Sequence, residues 1–503
     1  MTRGFSRRTF LRAASAAALL IVPLQARAGA PSASLRPVAR GEDLRRRLQP
    51  SAEALIAAAR LDGNVGYCVA NARTGEVLET HHAELGLPPA SVAKALTAGY
   101  ALAHLGGGHR FATQVLATGG VKDGVVQGDL VLAGGGDPTL DTDGLATLAA
   151  RLAEAGITGV KGAYQVWGGA LPYARAIDPE QPEHVSYNPA VSGLNLNYNR
   201  VFFEWRQSGK DYAVSMDARS ERHKPQVHMA RMAVERRSTP VYTYADAGGR
   251  DNWTVARGAL GKGGARWLPV RKPELYAAEV FQSLCAGQGI TLSAPVVIQV
   301  RPADGVLLAQ YESALLTDIL HDMLKWSTNL TAEVVGLSAS AKRLGRVPAS
   351  PRESAAALNV WAAETLGVKS LALEDHSGLG DDSRVKAADM MTALLALRPT
   401  QPLKPLLKEF LMRDAKRRVI EDHPISVHAK TGTLNFVSGL AGFADLAGGT
   451  ELVFAIFAGN LERRDRLTKA ERENPEGGSA WNVRAKTLQQ KLIERWGVMY
   501  AET

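Results

Sequence analysis

Strand-like and helix-like patterns follow one another along this 503-residue chain in an order that narrows its possible folds. Apolar residues alternate with polar ones in NVGYCVANARTGEVLETH near the start, and again near the end in ISVHAKTGTLNFVSGLAGFADL and TELVFAIFAGN. Residues 111–296 carry short strand patterns, glycine-rich turns and long loops, and helical periodicity returns after them. We therefore predict a multidomain α/β (α+β) protein in which the two ends of the chain form one domain, interrupted by a β-rich insertion.

The first 28 residues are typical of a cleavable export signal. They have a basic start, an apolar run at 13–24 that is too short to span a bilayer, and a small-residue cleavage site at 26–28. The paired Arg7 and Arg8 indicate a twin-arginine signal, which predicts a periplasmic protein. The predicted divisions are the signal at 1–28, the first part of the two-ended domain at 29–110, the insertion at 111–296 and the second part at 297–503.

Removal of the signal changes what the net charge implies about partners. The signal holds five arginines and no acidic residue, so the formal charge falls from +9 to +4 and gives no electrostatic case for a nucleic-acid partner. The last predicted helix has one apolar side, which we interpret as packing on a sheet, so we expect at most peripheral membrane contact. Cys68 and Cys285 are the only cysteines, and the sequence leaves their pairing open. Without an HExxH motif or closely spaced His and Asp, we predict no metal and no cofactor.

The stretch LPPASVAKALTAGYALAH is an apolar helix with one charged side chain, Lys94, one turn after Ser91. Residues three apart share a helix face, and burial lowers the pKa of a lysine, so Lys94 is a candidate base for the Ser91 hydroxyl. A serine near the helix start beside a lysine that reaches solvent is the alternative. A second Ser-x-x-Lys, at Ser383 and Lys386, shows that the spacing alone does not decide between them.

Two further motifs make the catalytic interpretation the stronger one. Ser327 and Asn329 fall between two amphipathic helical patterns, where a loop can direct both side chains into a cleft. Lys430-Thr431-Gly432-Thr433 occurs in a predicted strand near the end of the chain. A strand edge of this composition can bind an extended peptide, since Gly432 allows close backbone approach and Lys430 supplies positive charge.

The order Ser-x-x-Lys, Ser-x-Asn, Lys-Thr-Gly is the signature of serine penicillin-recognising enzymes. The long interval between Ser91 and Ser327 resembles the class C low-molecular-mass penicillin-binding proteins, which are D-alanyl-D-alanine carboxypeptidases and endopeptidases. The resemblance implies a transpeptidase-like domain, with helices on both faces of an antiparallel sheet and a helical subdomain, interrupted by a β-rich insertion. It also implies peptidoglycan stem peptides as substrates and β-lactam antibiotics as covalent inhibitors.

The same resemblance implies a catalytic role for each residue of the first two motifs and for the second lysine. Ser91 would form an acyl-enzyme, and Lys94 would take its proton. Ser327 would pass a proton to the leaving amine, while Asn329 would orient Lys94 or the substrate amide. Lys430 would prevent the lysine pair from being doubly charged. Which lysine is the true base stays open.

Substrate binding is implied for the residues that follow the second lysine, Thr431, Gly432 and Thr433. The two threonines would bind the terminal carboxylate of the peptide. The backbone N–H groups of Ser91 and Thr433 would form the oxyanion hole.

Two departures from the family put its diaminopimelate side-chain pocket in doubt. Asp381 replaces an arginine of many relatives, and Trp167 replaces an aspartate in the insertion. A β-lactamase-like hydrolase and a non-catalytic peptidoglycan-binding protein on the same fold remain alternatives. A class A β-lactamase needs a Glu four residues before an Asn, but the only Asn between the last two motifs is Asn359, preceded at that distance by Ala355.

Overall fold

The helices and strands occur in the order that the sequence patterns predict. The computed structural model describes residues 46–401, 403–414 and 416–501, so the predicted export signal lies outside the described residues. The strands are β1 (Asn64–Asn71), β2 (Val77–His81), β3 (Ala112–Ala117), β4 (Val121–Lys122), β5 (Val125–Val126), β6 (Leu130–Gly134), β7 (Gly159–Val160), β8 (Tyr164–Trp167), β9 (Arg200–Ser208), β10 (Asp211–Asp217), β11 (Ala230–Glu235), β12 (Tyr242–Ala247), β13 (Arg250–Ala256), β14 (Gly263–Pro269), β15 (Val296–Val297), β16 (Val306–Glu312), β17 (Ser426–Leu434), β18 (Val437–Asp445) and β19 (Glu451–Gly459). The α-helices are α1 (Ala52–Ala59), α2 (Ala93–Leu105), α3 (Thr142–Glu154), α4 (Pro273–Gly287), α5 (Leu316–Trp326), α6 (Asn329–Leu344), α7 (Pro351–Leu366), α8 (Ala387–Leu397), α9 (Leu461–Asp465) and α10 (Gly478–Tyr500).

The main sheet combines strands from both ends of the chain. Its order is β17-β18-β19-β1-β2, and every neighbouring pair is antiparallel. β17 and β18 form a tight hairpin, in which Leu434 pairs with Val437 and Phe436 takes a positive φ of 56°. β1 runs along the whole of β19, which joins the first strand of the domain to the last. Strands from both ends of the chain therefore form one sheet.

Helices cover both faces of this sheet because both faces are apolar. On one face, α10 buries Leu488, Leu492, Ile493 and Trp496, each contributing about 1.5–3 kcal/mol. The apolar side of the last helix therefore packs on the sheet, as predicted. On the other face lie α2 and α8, which belong to a separate apolar core.

The helix α2 is buried on all sides from residue 93 to residue 102. It packs between the sheet and the helical subdomain of α5, α6 and α7. This position explains why its sequence is apolar around its whole circumference and not along one stripe. A lysine inside such a helix has no path to solvent.

The inserted segment is rich in short strands, as predicted. Its sheets have the orders β15-β8-β6-β3-β16, β10-β9-β14, β11-β13-β12 and β4-β5-β7, and α3 and α4 pack together beside them. The first of these sheets extends past the predicted boundary at residue 296, because β16 runs antiparallel to β3. The predicted boundary at residue 296 rested on a change in sequence periodicity. The pairing of β3 with β16 is a long-range contact, which local periodicity cannot predict.

Both cysteines are buried and unpaired. Cys68 lies in β1 and Cys285 in α4, in two different apolar cores. Burial raises their thiol pKa values to about 11 and about 12, respectively. Among the described residues, no helix is long and apolar enough to cross a membrane.

Candidate active site

Ser91 lies in a short 3₁₀ turn, Ala90–Val92, that leads directly into α2. Ala90 has a φ of 47°, a left-handed conformation that costs an alanine about 1–2 kcal/mol. Two glycines hold this turn from outside. A Cβ on Gly378 would lie 1.9 Å from the Ala90 carbonyl oxygen, and one on Gly432 would lie 2.7 Å from the Pro89 carbonyl oxygen and 3.1 Å from the Ser91 nitrogen. The absence of a side chain at Gly432 therefore lets β17 lie against the turn that carries Ser91.

Lys94 is fully buried, and its amine is completely hydrogen-bonded. Nζ donates to Ser91 Oγ at 2.9 Å, to Asn329 Oδ1 at 2.7 Å and to the Ser377 carbonyl at 2.7 Å. Desolvation lowers its pKa to about 8, although two nearby carboxylates oppose the shift. When the amine is neutral, two of its hydrogens can remain on Asn329 and Ser377, which leaves its lone pair for the Ser91 hydroxyl.

Ser327 and Asn329 lie at the junction of α5 and α6. Ser327 ends α5 with a φ of 60°, and Asn329 is the first residue of α6. Asn329 Nδ2 donates to the carbonyl of Tyr187 in the inserted segment at 2.9 Å. This bond fixes which end of the Asn329 amide faces Lys94, because the oxygen must then lie on the opposite side.

Lys430 is the second buried lysine of the site. Its Nζ donates to Ser327 Oγ at 2.9 Å and to the Thr431 carbonyl at 2.7 Å. Burial holds the pKa of Lys430 well below the ordinary lysine value, and the charges of Lys94 and Lys408 lower it further. The state in which Lys94 and Lys430 are both protonated is therefore disfavoured.

The outer edge of β17 is covered along its first half and faces the cleft along its second. Ala429 donates to the Lys408 carbonyl at 3.0 Å, and Phe410 donates to the Val427 carbonyl at 2.8 Å. Since backbone groups alternate in direction along a strand, those of Thr431 and Thr433 point to the same outer edge. The side chains of both threonines are exposed.

The predicted site residues lie together around one cleft of about 320 Å³. It is lined by Ser91, Ser327, Asn329, Leu379, Thr433, Asn435, Arg464 and Arg472, among others. Lys94 and Lys430 lie directly behind this surface. The second Ser-x-x-Lys is elsewhere: Lys386 pairs with Glu84 at 2.9 Å, and Ser383 Oγ accepts from the Glu374 N–H.

This geometry agrees with a comparison at the level of protein families. The model of the D-Ala-D-Ala carboxypeptidase 3 (S13) family matches residues 48–474 of the chain. The chain belongs to this family. The predicted recognition and the predicted serine hydrolase activity of a D-alanyl-D-alanine carboxypeptidase are confirmed.

Relatives of this S13 enzyme align over most of its length. A D-alanyl-D-alanine carboxypeptidase of Actinomadura sp. (strain R39) is 27% identical over 489 residues, covering 88% of this chain and 86% of that protein. The crystal structure of penicillin binding protein 4 (dacB) from Haemophilus influenzae matches with a TM-score of 0.70 at 20% identity, covering 88% of this chain and 100% of that one. A structure of the same protein complexed with a β-lactam matches with a TM-score of 0.68, at the same identity and coverage. The predicted fold class is confirmed.

Two buried carboxylates beside the S13 enzyme's site lie outside the three sequence motifs. Glu333 and Asp375 are 1% and 4% exposed. Glu333 follows Asn329 by one helical turn, so the two share a face of α6. An acidic residue on the apolar face of TNLTAEVVGL was a usable signal. Asp375 lies in an irregular loop, where the sequence carries no periodicity to indicate burial.

The wall of the cleft beside Asp381 in the S13 enzyme still contains arginine side chains. The Asp381 carboxylate pairs with Arg464 and, at 2.6 Å, with Arg472, and both arginines line the cleft. They come from the segment after β19, far along the chain from Asp381. Trp167, the other departure, ends β8 in the inserted sheet, with the Arg301 guanidinium over its ring.

Proposed function

We propose that the enzyme cleaves the bond that follows a D-alanine in peptidoglycan stem peptides, through an acyl-enzyme on Ser91. The observation that carries this proposal is the arrangement of the Lys94 amine, which is buried, held by two acceptors and 2.9 Å from Ser91 Oγ. When this amine is neutral, its lone pair faces only Ser91, so the proton that it can accept is that of the serine hydroxyl.

In the acylation step, Ser91 Oγ attacks the carbonyl carbon of the D-alanine while its proton passes to Lys94. The oxyanion that forms would accept hydrogen bonds from the backbone N–H groups of Ser91 and Thr433. When the intermediate collapses, the bond to the leaving nitrogen breaks and Ser327 gives that nitrogen a proton. Lys430, hydrogen-bonded to Ser327 Oγ, would replace it.

Hydrolysis of the acyl-enzyme uses the same groups in the opposite direction. Water would lose a proton to Ser327, which passes its own proton to the now neutral Lys430, as the water oxygen attacks the ester carbonyl. The bond to Ser91 Oγ then breaks, and Oγ recovers its proton from the protonated Lys94. The exposed hydroxyls of Thr431 and Thr433, with Gly432 between them, suit a peptide bound along the free edge of β17 through its terminal carboxylate.

Several observations support the proposed substrate class and location. Family membership supports a D-Ala-D-Ala peptide, and the export signal predicted at residues 1–28 supports action in the periplasm. The β-lactam complex of the Haemophilus influenzae relative supports β-lactams as covalent inhibitors of this chain. Carboxypeptidase and endopeptidase cleavage break the same kind of bond, so both are proposed.

Mass spectrometry of the mature protein after incubation with penicillin tests the proposal. We expect an increase by the mass of one intact penicillin, and no increase in Ser91→Ala. An adduct that survives this substitution would overturn the role of Ser91. Release of D-alanine from a pentapeptide separates a peptidase from a non-catalytic binding protein, and rapid turnover of a chromogenic cephalosporin would favour a β-lactamase instead.

A further inference from the structure

A pair of buried carboxylates lies behind Lys94, and the steps described above do not use it. Desolvation raises the pKa of Asp375, and it raises the pKa of Glu333 to about 8, where the neighbouring Asp375 adds to the shift. Burying two acids side by side costs stability unless their hydrogen bonds compensate. Their partners therefore indicate what the pair holds in place.

Both carboxylates bind backbone N–H groups of one loop, residues 375–380. Glu333 accepts from Ser377 at 2.8 Å and from His376 at 3.2 Å. Asp375 accepts from Gly378 at 2.5 Å and from Gly380 at 2.7 Å. Four N–H groups of the loop are thus directed toward these two carboxylates.

Two carbonyl groups of the same loop face α2. The Ser377 carbonyl accepts from Lys94 Nζ, and the His376 carbonyl accepts from Thr97 Oγ1, both at 2.7 Å. At Gly378 a φ of 72° turns the chain directly against the Ala90 carbonyl. The peptide unit between His376 and Ser377 is therefore held on one side by Glu333 and on the other by α2.

We propose that Glu333 is a positioning residue for Lys94: by binding the N–H groups of His376 and Ser377, it fixes the position of Ser377, whose carbonyl accepts from the Lys94 amine. This inference rests on the proposed role of Lys94 as the base. With two acceptors fixed, the neutral amine places its two hydrogens on Asn329 and Ser377, and its lone pair faces Ser91. If the Ser377 carbonyl moves, the amine can rotate so that a hydrogen faces Ser91. Its lone pair then no longer points to the serine hydroxyl, and the amine cannot act as its base.

The charges around Glu333 give the test a second readout. Glu333 faces Lys94 on α2 and Asp375 in the loop, while Lys430 on β17 faces Lys94 from the other side. His376 stays neutral, because burial lowers its pKa to about 3. Glu333 and Lys94 titrate in the same pH range, and where Glu333 is ionised its charge favours the protonated amine, so its removal should shift the acid limb of acylation to lower pH.

The experiment measures the rate of acylation by a fluorescent penicillin against pH, in the mature protein and three variants. Glu333→Gln removes the charge and one of the two acceptor oxygens. Glu333→Asp keeps the charge but withdraws it by one methylene. Thr331→Val is the matched control, since Thr331 is buried on the same helix and its hydroxyl has no hydrogen-bond partner in the described structure.

We expect Glu333→Gln to lower the maximal rate by on the order of 10²-fold, as small misplacements of a catalytic group do, and to move the acid limb to lower pH. Glu333→Asp should lower the rate with the limb unmoved, and Thr331→Val should change neither. The proposal would be overturned if the acid limb of Glu333→Gln lay at the same pH as that of the wild type. It would also be overturned if Glu333→Asp were acylated as fast as the Thr331→Val control. If Glu333→Gln does not fold, Glu333→Asp decides alone. Failure of the proposed function is distinct, because wild type would then not be acylated.

Discussion

Lys94 combines complete burial with three hydrogen bonds, so in the proposed mechanism the protonation of this one amine controls acylation. Its surroundings balance opposing effects: desolvation favours the neutral form, while Glu333 and Asp375 favour the charged one. The balance gives a pKa of about 8, not the ordinary 10.5. A base with a pKa near neutral pH is the kind that general base catalysis uses best.

Acylation by penicillin should therefore depend on pH through this amine. We expect the rate to rise with pH along a limb centred near 8, because only neutral Lys94 can accept the Ser91 proton. The lowered pKa also means that the unfolded chain binds more protons, so this group makes the free energy of unfolding rise with pH between about 8 and 10.5. Acylation rates measured across this range test the first expectation, and a limb near 10.5 would contradict it.

Gly378 should be essential for a steric reason that a second glycine can isolate. Gly378 and Gly75 have nearly equal φ values, 72° and 75°, but only Gly378 has neighbours at the position of a Cβ. Gly75→Ala should lose about 1–2 kcal/mol of unfolding free energy from backbone strain and keep its acylation rate. Gly378→Ala should lose more stability and should also slow acylation, since the new Cβ displaces the Ala90 turn beside Ser91. Urea unfolding and penicillin labelling of both variants measure the difference, and equal behaviour would refute the steric argument.

Among the structural elements, β17 has the most direct part in binding because it is an edge strand with a divided edge. The segment around Lys408 and Phe410 pairs with its first half and prevents that half from binding other chains. The second half presents the outward backbone groups of Thr431 and Thr433 to the cleft. One strand thus carries the second lysine, the substrate edge and the glycine that approaches Ser91.

Proline at position 433 should remove the proposed oxyanion donor without breaking the sheet. The N–H of Thr433 points to the free edge, so Thr433→Pro costs no bond to β18, and proline is tolerated at such edges. We expect acylation to slow by about 10²–10³-fold, the usual effect of losing one oxyanion donor. Thr433→Ala, which keeps the N–H, is the control, and its rate should stay well above that of Thr433→Pro. Equal rates in the two folded variants would exclude this N–H from the oxyanion hole.

The elements that the sequence predicted are those with local signals. Alternation along β1, β17, β18 and β19 and the apolar circumference of α2 were enough to predict a sheet made from both ends and an apolar helix that carries the candidate base. The three motifs located Ser91, Lys94, Ser327, Asn329 and Lys430. Glu333 was accessible to the same reasoning, because it lies one turn after Asn329. Asp375, the pairing of β3 with β16 and the arginines around Asp381 were not, since each depends on contacts between distant segments with no pattern of their own.

Over the whole molecule, the two thiols report on two separate cores. Cys68 lies in the core beneath the main sheet and Cys285 in that of the inserted segment, and both have raised pKa values. We expect the native protein to react with no equivalent of Ellman's reagent, and the denatured protein with two. Reaction of a single thiol in mild denaturant would show that one core opens before the other. No reaction after full denaturation without reductant would instead indicate a disulfide and contradict the structure.

The hydrogen bond from Asn329 to the Tyr187 carbonyl has a consequence for the modularity of the fold. The inserted segment looks like an accessory module that could be trimmed to obtain a minimal enzyme, because the main sheet and α2 close without it. Yet one of its peptide groups sets the orientation of the Asn329 amide, which contacts Lys94. A minimal version would have to supply a replacement acceptor at that point, or its Asn329 would be free to turn its nitrogen toward Lys94. In this molecule the boundary of the catalytic module therefore runs through the insertion, not around it.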